Sequence, residues 1–101
     1  MELKLILLRG FHLPAHDAGA GLIATSLAVP EGVEVEYPPG VVRQLEFAEE
    51  PVRLYEGTVL LKVTFAQPPE KAIMLGLTYQ ACDERACLPA VTKGIEIAPS
   101  A

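Results

Sequence analysis

Hydrophobic and polar residues alternate with a period of two along much of this chain. The clearest runs cover residues 33–37, 58–65 and 73–79, where every second position carries a large apolar side chain. In a β-strand this period puts alternate side chains on opposite faces. The three runs therefore predict strands with one buried face.

Four less regular runs, at residues 3–12, 25–29, 44–47 and 91–97, also have β-like composition. Turns rich in proline and glycine at residues 30–32, 38–40, 56–57 and 67–69 separate several of the runs. No stretch of a dozen residues holds the continuous apolar stripe of an amphipathic helix. About seven or eight short strands at this spacing predict an all-β sandwich. Residues 12–23 are predicted to form the longest irregular segment.

The length and charge of the chain exclude several classes of protein. A chain of 101 residues predicts a single domain covering residues 1–101. Its 13 acidic and 8 basic residues form no basic cluster, so nucleic acid is not an expected partner. The apolar runs fall short of the roughly 20 residues that span a bilayer, so no membrane insertion is expected. The opening MELKLILLR lacks a secretory signal, so the protein is either intracellular or begins after a removed signal.

The chain has two cysteines, Cys82 and Cys87, separated by four mostly polar residues. If these four residues reverse the chain, the cysteines face each other as a non-hydrogen-bonded pair. Such a pair brings the Cα atoms to about 4.5 Å, which a disulfide accepts. A disulfide that closes so short a loop stabilises a fold by only about 2 kcal/mol. Stabilisation of the fold is therefore a weak explanation for such a bond. An exposed loop would instead let a partner thiolate reach the sulfurs. Redox exchange, a structural disulfide and unreactive thiols all remain open on spacing alone.

Two other chemistries have weaker support. His12 and His16 could join the two cysteines as a zinc ligand set, but Pro14 disrupts a helix that would align the histidines. Surface or turn histidines are the better interpretation, and no metal site is predicted. Asp17 and Asp83 are the only aspartates, and no nucleophile elbow accompanies them. A serine hydrolase is therefore not expected.

Four blocks of the chain, taken in order, resemble a known family. They are RGFHLPAH, LIATSLAVPEGVEVEYPPG, LYEGTVLLKV and LTYQACDERACLPAVT. Together they resemble the amino-terminal periplasmic domain of the thiol:disulfide interchange protein DsbD, over nearly the whole chain. The most specific block pairs Tyr79 and Gln80 with Cys82, Cys87 and Pro89. The resemblance implies an immunoglobulin-like β-sandwich with the cysteine pair on a hairpin, and it favours a redox role.

The resemblance also implies what the pair does. Cys82 and Cys87 would be the catalytic couple, with Cys87 the sulfur that meets the partner. A thioredoxin-like domain would donate electrons, and periplasmic thiol-disulfide proteins would accept them. The domain would be a monomeric, periplasmic or extracytoplasmic component of a protein-disulfide reductase, and it would need no cofactor. The alternative is a non-catalytic binding module whose disulfide is structural.

A cap over the couple is the last expectation that the resemblance supplies. Family members cover the cysteines with an aromatic residue on a loop, and here Leu45-Glu46-Phe47 resembles that loop. Phe47 is the predicted shield, with Glu46 and Tyr79 beside it. His12 is placed at a strand end without a catalytic role. Some members separate their cysteines by five residues, whereas this chain has four between them.

Overall fold

The architecture is all-β, as the alternation predicts. A computed structural model describes residues 1–18, 22–45, 49–83 and 85–99. Within those ranges, no helix is both long and apolar enough to cross a membrane. The strands are β1 (Glu2–Ile6), β2 (Leu13–Pro14), β3 (Ser26–Ala28), β4 (Val33–Glu36), β5 (Val41–Arg43), β6 (Val52–Tyr55), β7 (Thr58–Phe65), β8 (Ile73–Tyr79) and β9 (Val91–Ile97).

The strands form three antiparallel sheets of three strands each, in the orders β1-β7-β4, β2-β6-β5 and β3-β8-β9. The longest central strand, β7, follows the predicted alternation. Val59, Leu61 and Val63 are buried, whereas Thr58 and Lys62 face solvent. A one-residue slip would turn the whole apolar set outward, so this pattern fixes the register of the strand.

The core lies between the sheets that contain β7 and β8. Leu61 of β7 and Leu75 of β8 are both fully buried in it. Full burial of one leucine side chain stabilises a fold by about 1.5–3 kcal/mol. Leu13 and Tyr55 extend the same cluster to the β2-β6-β5 sheet. Contacts from all three sheets therefore support β8, which leads directly into the first cysteine.

Hydrogen bonds hold the segment that precedes β3 against the sheets. The Tyr55 hydroxyl donates to the Pro38 carbonyl oxygen at 2.8 Å and accepts from the His16 amide at 3.3 Å. Burial raises the pKa of Tyr55 above its ordinary value. The buried Thr25 hydroxyl donates to the Pro14 carbonyl oxygen at 2.7 Å. These bonds fix the residues around β2, next to the cysteine pair.

Several strand predictions need correction. The predicted run at 3–12 overlaps β1 (Glu2–Ile6) but extends well past its end, and β2 lies inside the segment predicted to be irregular. In the predicted run at 44–47, Gln44 and Leu45 follow the strand Val41–Arg43 and do not belong to it, whereas residues 46 and 47 lie outside the described part of the chain. Strand β6 was not predicted. It has four residues, of which three are buried, so period-two alternation is hard to see in it.

Candidate redox site

Cys82 and Cys87 form a disulfide at a hairpin, with their Cα atoms 4.0 Å apart. They are an antiparallel pair, and hydrogen bonds flank them on both sides. The Asp83 amide donates to the Ala86 carbonyl oxygen at 2.9 Å, and the Leu88 amide donates to the Ala81 carbonyl oxygen at 2.8 Å. This is the non-hydrogen-bonded position, where opposite side chains come closest. The predicted hairpin placement of the pair is confirmed.

Asp83 closes the tip of the hairpin with its side chain. Its Oδ1 accepts hydrogen bonds from the amides of Arg85 and Ala86, each at 2.8 Å. The N–H groups of Ala86 and then Arg85 lower the pKa of this exposed carboxyl. Aspartate commonly stabilises turns by accepting a bond from an amide two residues later. This turn chemistry could have been predicted from the sequence, where Asp83 was considered only as a candidate aspartate of a serine hydrolase.

A second backbone pairing holds Cys82 from the opposite side. The His12 amide donates to the Cys82 carbonyl oxygen at 2.7 Å, and the Cys82 amide donates to the His12 carbonyl oxygen at 2.8 Å. Cys82 thus lies between His12 and Cys87 in a short three-stranded ribbon. Directly opposite residues project their side chains on one face of a sheet. The imidazole therefore emerges on the same face as the disulfide.

The two sulfur-bearing residues differ in exposure. Cys82 is 1% exposed, while Cys87 is only half-buried and is followed by Leu88, which is 55% exposed. The Cys82 Sγ lies 3.7 Å from the Gln80 carbonyl oxygen, which can accept a hydrogen bond from a thiol at that position. Cys87 is therefore the cysteine that an incoming thiol can reach first.

The His12 ring lies in a small charged network. Its Nε2 is 3.6 Å from Oε1 of Glu56, and Nε of Arg43 donates to the same oxygen at 2.9 Å. The Arg43 NH2 group donates to the other Glu56 oxygen at 3.3 Å. Within the described part of the chain, the buried His12 Nδ1 has no hydrogen-bond partner. The resemblance placed His12 at a strand end, but no pattern in the sequence predicted that it pairs with Cys82.

The residues weighed as zinc ligands are not brought together as a metal site. The cysteine sulfurs are bonded to each other. The His16 ring stacks on Tyr37 with centroids 3.6 Å apart, and its Nδ1 lies 3.1 Å from the Thr25 carbonyl oxygen. The described residues contain no group of three or more His, Cys, Asp or Glu that could hold a metal ion.

The described residues include only part of the cap predicted from the resemblance. Glu46 and Phe47 lie outside the described residues, so shielding by Phe47 stays a prediction. Tyr79 is the last residue of β8, where it pairs with Val91 and packs against the core. Its part in covering the cysteines also stays a prediction.

Of the surface cavities in the described part of the chain, two lie at different ends of β8. The larger, about 720 Å³, is lined by turn residues that include Pro30, Gly32 and Gln67, at the end of β8 remote from the cysteines. The smaller, about 430 Å³, is lined by Ala81 and Leu88, whose backbones flank the disulfide. The larger cavity thus lies away from the cysteines, and the smaller one adjoins residues that neighbour them in sequence.

Comparison with known proteins agrees with this geometry. Residues 1–99 match the family described as "Thiol:disulfide interchange protein DsbD, N-terminal". The fold is similar to the crystal structure of the Neisseria meningitidis DsbD N-terminal domain in the reduced form, with a TM-score of 0.74 and 16% sequence identity. That similarity covers 99% of this chain and 77% of the Neisseria chain, and it identifies the fold as immunoglobulin-like. No match was found among curated protein sequences. The match over almost its whole length shows that this chain belongs to the DsbD N-terminal domain family, whose chemistry is thiol–disulfide interchange.

Proposed function

We propose that this chain is a periplasmic electron carrier whose Cys82–Cys87 pair alternates between disulfide and dithiol. A thioredoxin-like domain reduces the pair, and other periplasmic thiol-disulfide proteins then oxidise it. Residues 1–101 act as one monomeric domain and need no cofactor, because the two sulfurs themselves carry two electrons. The observation that carries the proposal is a disulfide at a hairpin tip with one buried and one accessible cysteine.

The difference in burial sets the order of steps. A thiolate of the donor attacks Cys87 Sγ, the bond to Cys82 breaks, and a mixed disulfide forms between Cys87 and the donor. Cys82 leaves as a thiolate and takes up a proton, because a buried thiolate is costly. Its new thiol can then donate to the Gln80 carbonyl oxygen, 3.7 Å from Sγ.

A second cysteine of the donor completes the transfer. Its thiolate attacks the donor sulfur of the mixed disulfide, which releases Cys87 and leaves the donor oxidised. The pair has then gained two electrons and two protons. The reverse sequence delivers them to an acceptor, with Cys87 attacking the acceptor disulfide and Cys82 resolving the mixed bond.

A redox titration with alkylation and mass measurement tests whether the pair exchanges. We expect an equilibrium potential among those of known thiol exchangers, roughly −120 to −270 mV. A potential below about −300 mV is typical of structural disulfides and would favour a binding module instead.

Trapping with single-cysteine variants tests the roles of the two sulfurs. A Cys82→Ser variant, with its accessible Cys87 activated by Ellman's reagent, should accumulate a mixed disulfide with a thioredoxin-fold protein whose second cysteine is replaced by serine, since neither protein then holds a resolving thiol. A Cys87→Ser variant retains the buried Cys82 and should accumulate far less. Equal trapping by the two variants would contradict the assignment of Cys87 as the attacked sulfur.

A further inference from the structure

The His12 side chain lies directly opposite Cys82, on the disulfide face of the ribbon. Directly opposite residues hold their Cβ atoms about 4.5–5.5 Å apart. In the oxidised protein, the Cys82 sulfur is bonded to Cys87, which pairs with Cys82 on its other side. Once that bond breaks, rotation about the Cα–Cβ bond of Cys82 can turn the sulfur toward the ring. His12 thus places a titratable side chain beside the buried cysteine.

One nitrogen of the His12 ring is buried without a partner. Nε2 lies 3.6 Å from Oε1 of Glu56, whereas the buried Nδ1 has no hydrogen-bond partner among the described residues. A carboxylate only accepts hydrogen bonds, so the proton of a neutral ring is favoured on Nε2, and Nδ1 is then an acceptor. The sulfurs of a disulfide carry no hydrogen, but a reduced Cys82 does. Reduction therefore supplies the donor that Nδ1 lacks.

The Gln80 carbonyl oxygen is a second acceptor near Cys82, 3.7 Å from Sγ. A carbonyl oxygen can accept a hydrogen bond from a neutral thiol, but it cannot take the proton. An imidazole can, because its charge changes between about pH 5 and 8. The thiolate is the form of cysteine that attacks a disulfide. The His12 ring can therefore produce the reactive form of Cys82, which the carbonyl cannot.

The charged groups around the ring are compatible with a proton that comes and goes. The Glu56 carboxylate faces Nε2, and Arg43 holds that carboxylate with two hydrogen bonds, at 2.9 and 3.3 Å. On the hairpin, the Asp83 carboxylate is turned toward two amides of the tip. The His12 side chain is 17% exposed, so water can exchange its proton.

From these observations we propose that His12 is the acid–base partner of Cys82. When a donor thiolate attacks Cys87, the Cys82–Cys87 bond breaks, and Nδ1–H of the protonated ring gives its proton to the departing Cys82 sulfur. In the delivery direction, Nδ1 takes the proton of the Cys82 thiol. The Cys82 thiolate then attacks Cys87 Sγ of the mixed disulfide, and the acceptor sulfur leaves as a thiolate with the bonding electron pair. Solvent restores the protonation of the ring after each transfer.

This inference rests on the proposed function, since the proton serves the exchange reaction. It gives His12 a role that the family resemblance did not assign. It also divides the work between the cysteines, because Cys87 meets the partner while Cys82 exchanges its proton within the domain.

The pH dependence of Cys82 alkylation tests the coupling without any exchange reaction. In a Cys87→Ser variant, Cys82 is the one remaining cysteine, and its rate with iodoacetamide follows the thiolate fraction. The rate at about pH 6, where an imidazole is largely protonated, is divided by the plateau rate at high pH to remove differences in accessibility. Adding His12→Asn should lower this ratio about fivefold or more, because asparagine forms hydrogen bonds but carries no positive charge.

The matched control is His16→Asn in the same Cys87→Ser background. The His16 ring stacks on Tyr37, so this change should leave the ratio unchanged. Equal ratios with His12→Asn and with His16→Asn would overturn the proposal.

Histidine NMR of the unmutated protein decides the matter if His12→Asn does not fold. Coupling is reciprocal, so a Cys82 thiolate must favour the protonated His12 ring by the same factor. At the alkaline pH where the thiol ionises, the protonated fraction of His12 should be about threefold or more higher in the reduced protein than in the oxidised protein. His16 is the internal control and should show the same fraction in both. Equal fractions for His12 would contradict the pairing.

The kinetics of disulfide closure test whether the proton serves the reaction. Reduced protein mixed with Ellman's reagent should release one chromophore when Cys87 attacks and a second when Cys82 closes the disulfide. The second release does not depend on the reagent concentration. His12→Asn should slow it about fivefold or more near pH 6 and should slow the first release less. An unchanged closure rate would remove His12 from the mechanism.

The outcomes separate the two proposals. The Cys87→Ser protein cannot form the disulfide, so a lack of coupling in that background leaves the proposed exchange function standing. A reduction potential in the range of structural disulfides would instead remove the exchange reaction, and with it the step that His12 assists.

Discussion

His12 and Cys82 exchange both of their backbone hydrogen bonds, at 2.7 and 2.8 Å. Residues distant in sequence thereby meet at the redox site, and the buried cysteine is held on the side away from Cys87. Both bonds come from the backbone, so they depend on the conformation of residue 12 more than on its side chain. Under the proposed function, the pairing positions the sulfur that would resolve the mixed disulfide.

Replacing His12 by proline tests this pairing. His12→Pro removes the amide that donates to the Cys82 carbonyl oxygen and leaves that oxygen without its partner. The free energy of unfolding should fall by about 1–3 kcal/mol more than in His12→Ala, which keeps the amide. Urea denaturation of the oxidised proteins measures the difference. Equal stabilities would mean that the pairing contributes little.

Phe47→Ala tests the predicted cap. If Phe47 shields the cysteines between encounters, its removal should raise the rate at which dithiothreitol reduces the disulfide several-fold. Met74→Ala is a suitable control, since Met74 is an exposed apolar residue that lines the cavity remote from the cysteines. An unchanged reduction rate in Phe47→Ala would argue against the cap assignment.

The lowered pKa of Asp83 predicts a pH-dependent hairpin tip. The carboxylate accepts two amide hydrogen bonds, so the stabilisation is complete above the ordinary carboxyl pKa and is lost as pH falls through the lowered value. NMR titration should give a midpoint below that of an unperturbed aspartate. Asp83→Ala should speed amide exchange at Arg85 and Ala86 at neutral pH, whereas Asp83→Asn keeps an acceptor oxygen and should do so less. A midpoint at the ordinary value would contradict this account.

Gly40→Ala should destabilise the fold through a steric clash. A Cβ at Gly40 would lie 2.5 Å from the Ala15 Cβ and 2.7 Å from the Arg53 Cβ. Such overpacking costs about 1–3 kcal/mol. Gly76→Ala is the matched control, because its new Cβ would come no closer than 3.7 Å to any atom outside the adjacent residues. Denaturation midpoints of the two variants should therefore differ, with Gly40→Ala the less stable.

The sequence predicted the hairpin better than its surroundings. Two cysteines around a short polar loop, preceded by a clear strand, are local features, so their antiparallel pairing could be predicted from spacing. The partner of Cys82 could not, because His12 reaches it through long-range pairing. Strand β6 was missed because three of its four residues are buried, so it shows no long alternating pattern.

The hydrogen bonds of the cysteine ribbon have a consequence for the reduced protein. None of the bonds from Asp83 to Ala86, from Leu88 to Ala81 or between His12 and Cys82 passes through a sulfur atom. Breaking the covalent link should thus leave the two thiols as fixed neighbours, with the high effective concentration of groups held in place. We expect the hairpin to keep its structure in the dithiol form. The Cys82–Cys87 disulfide should then re-form rapidly once an acceptor has bound.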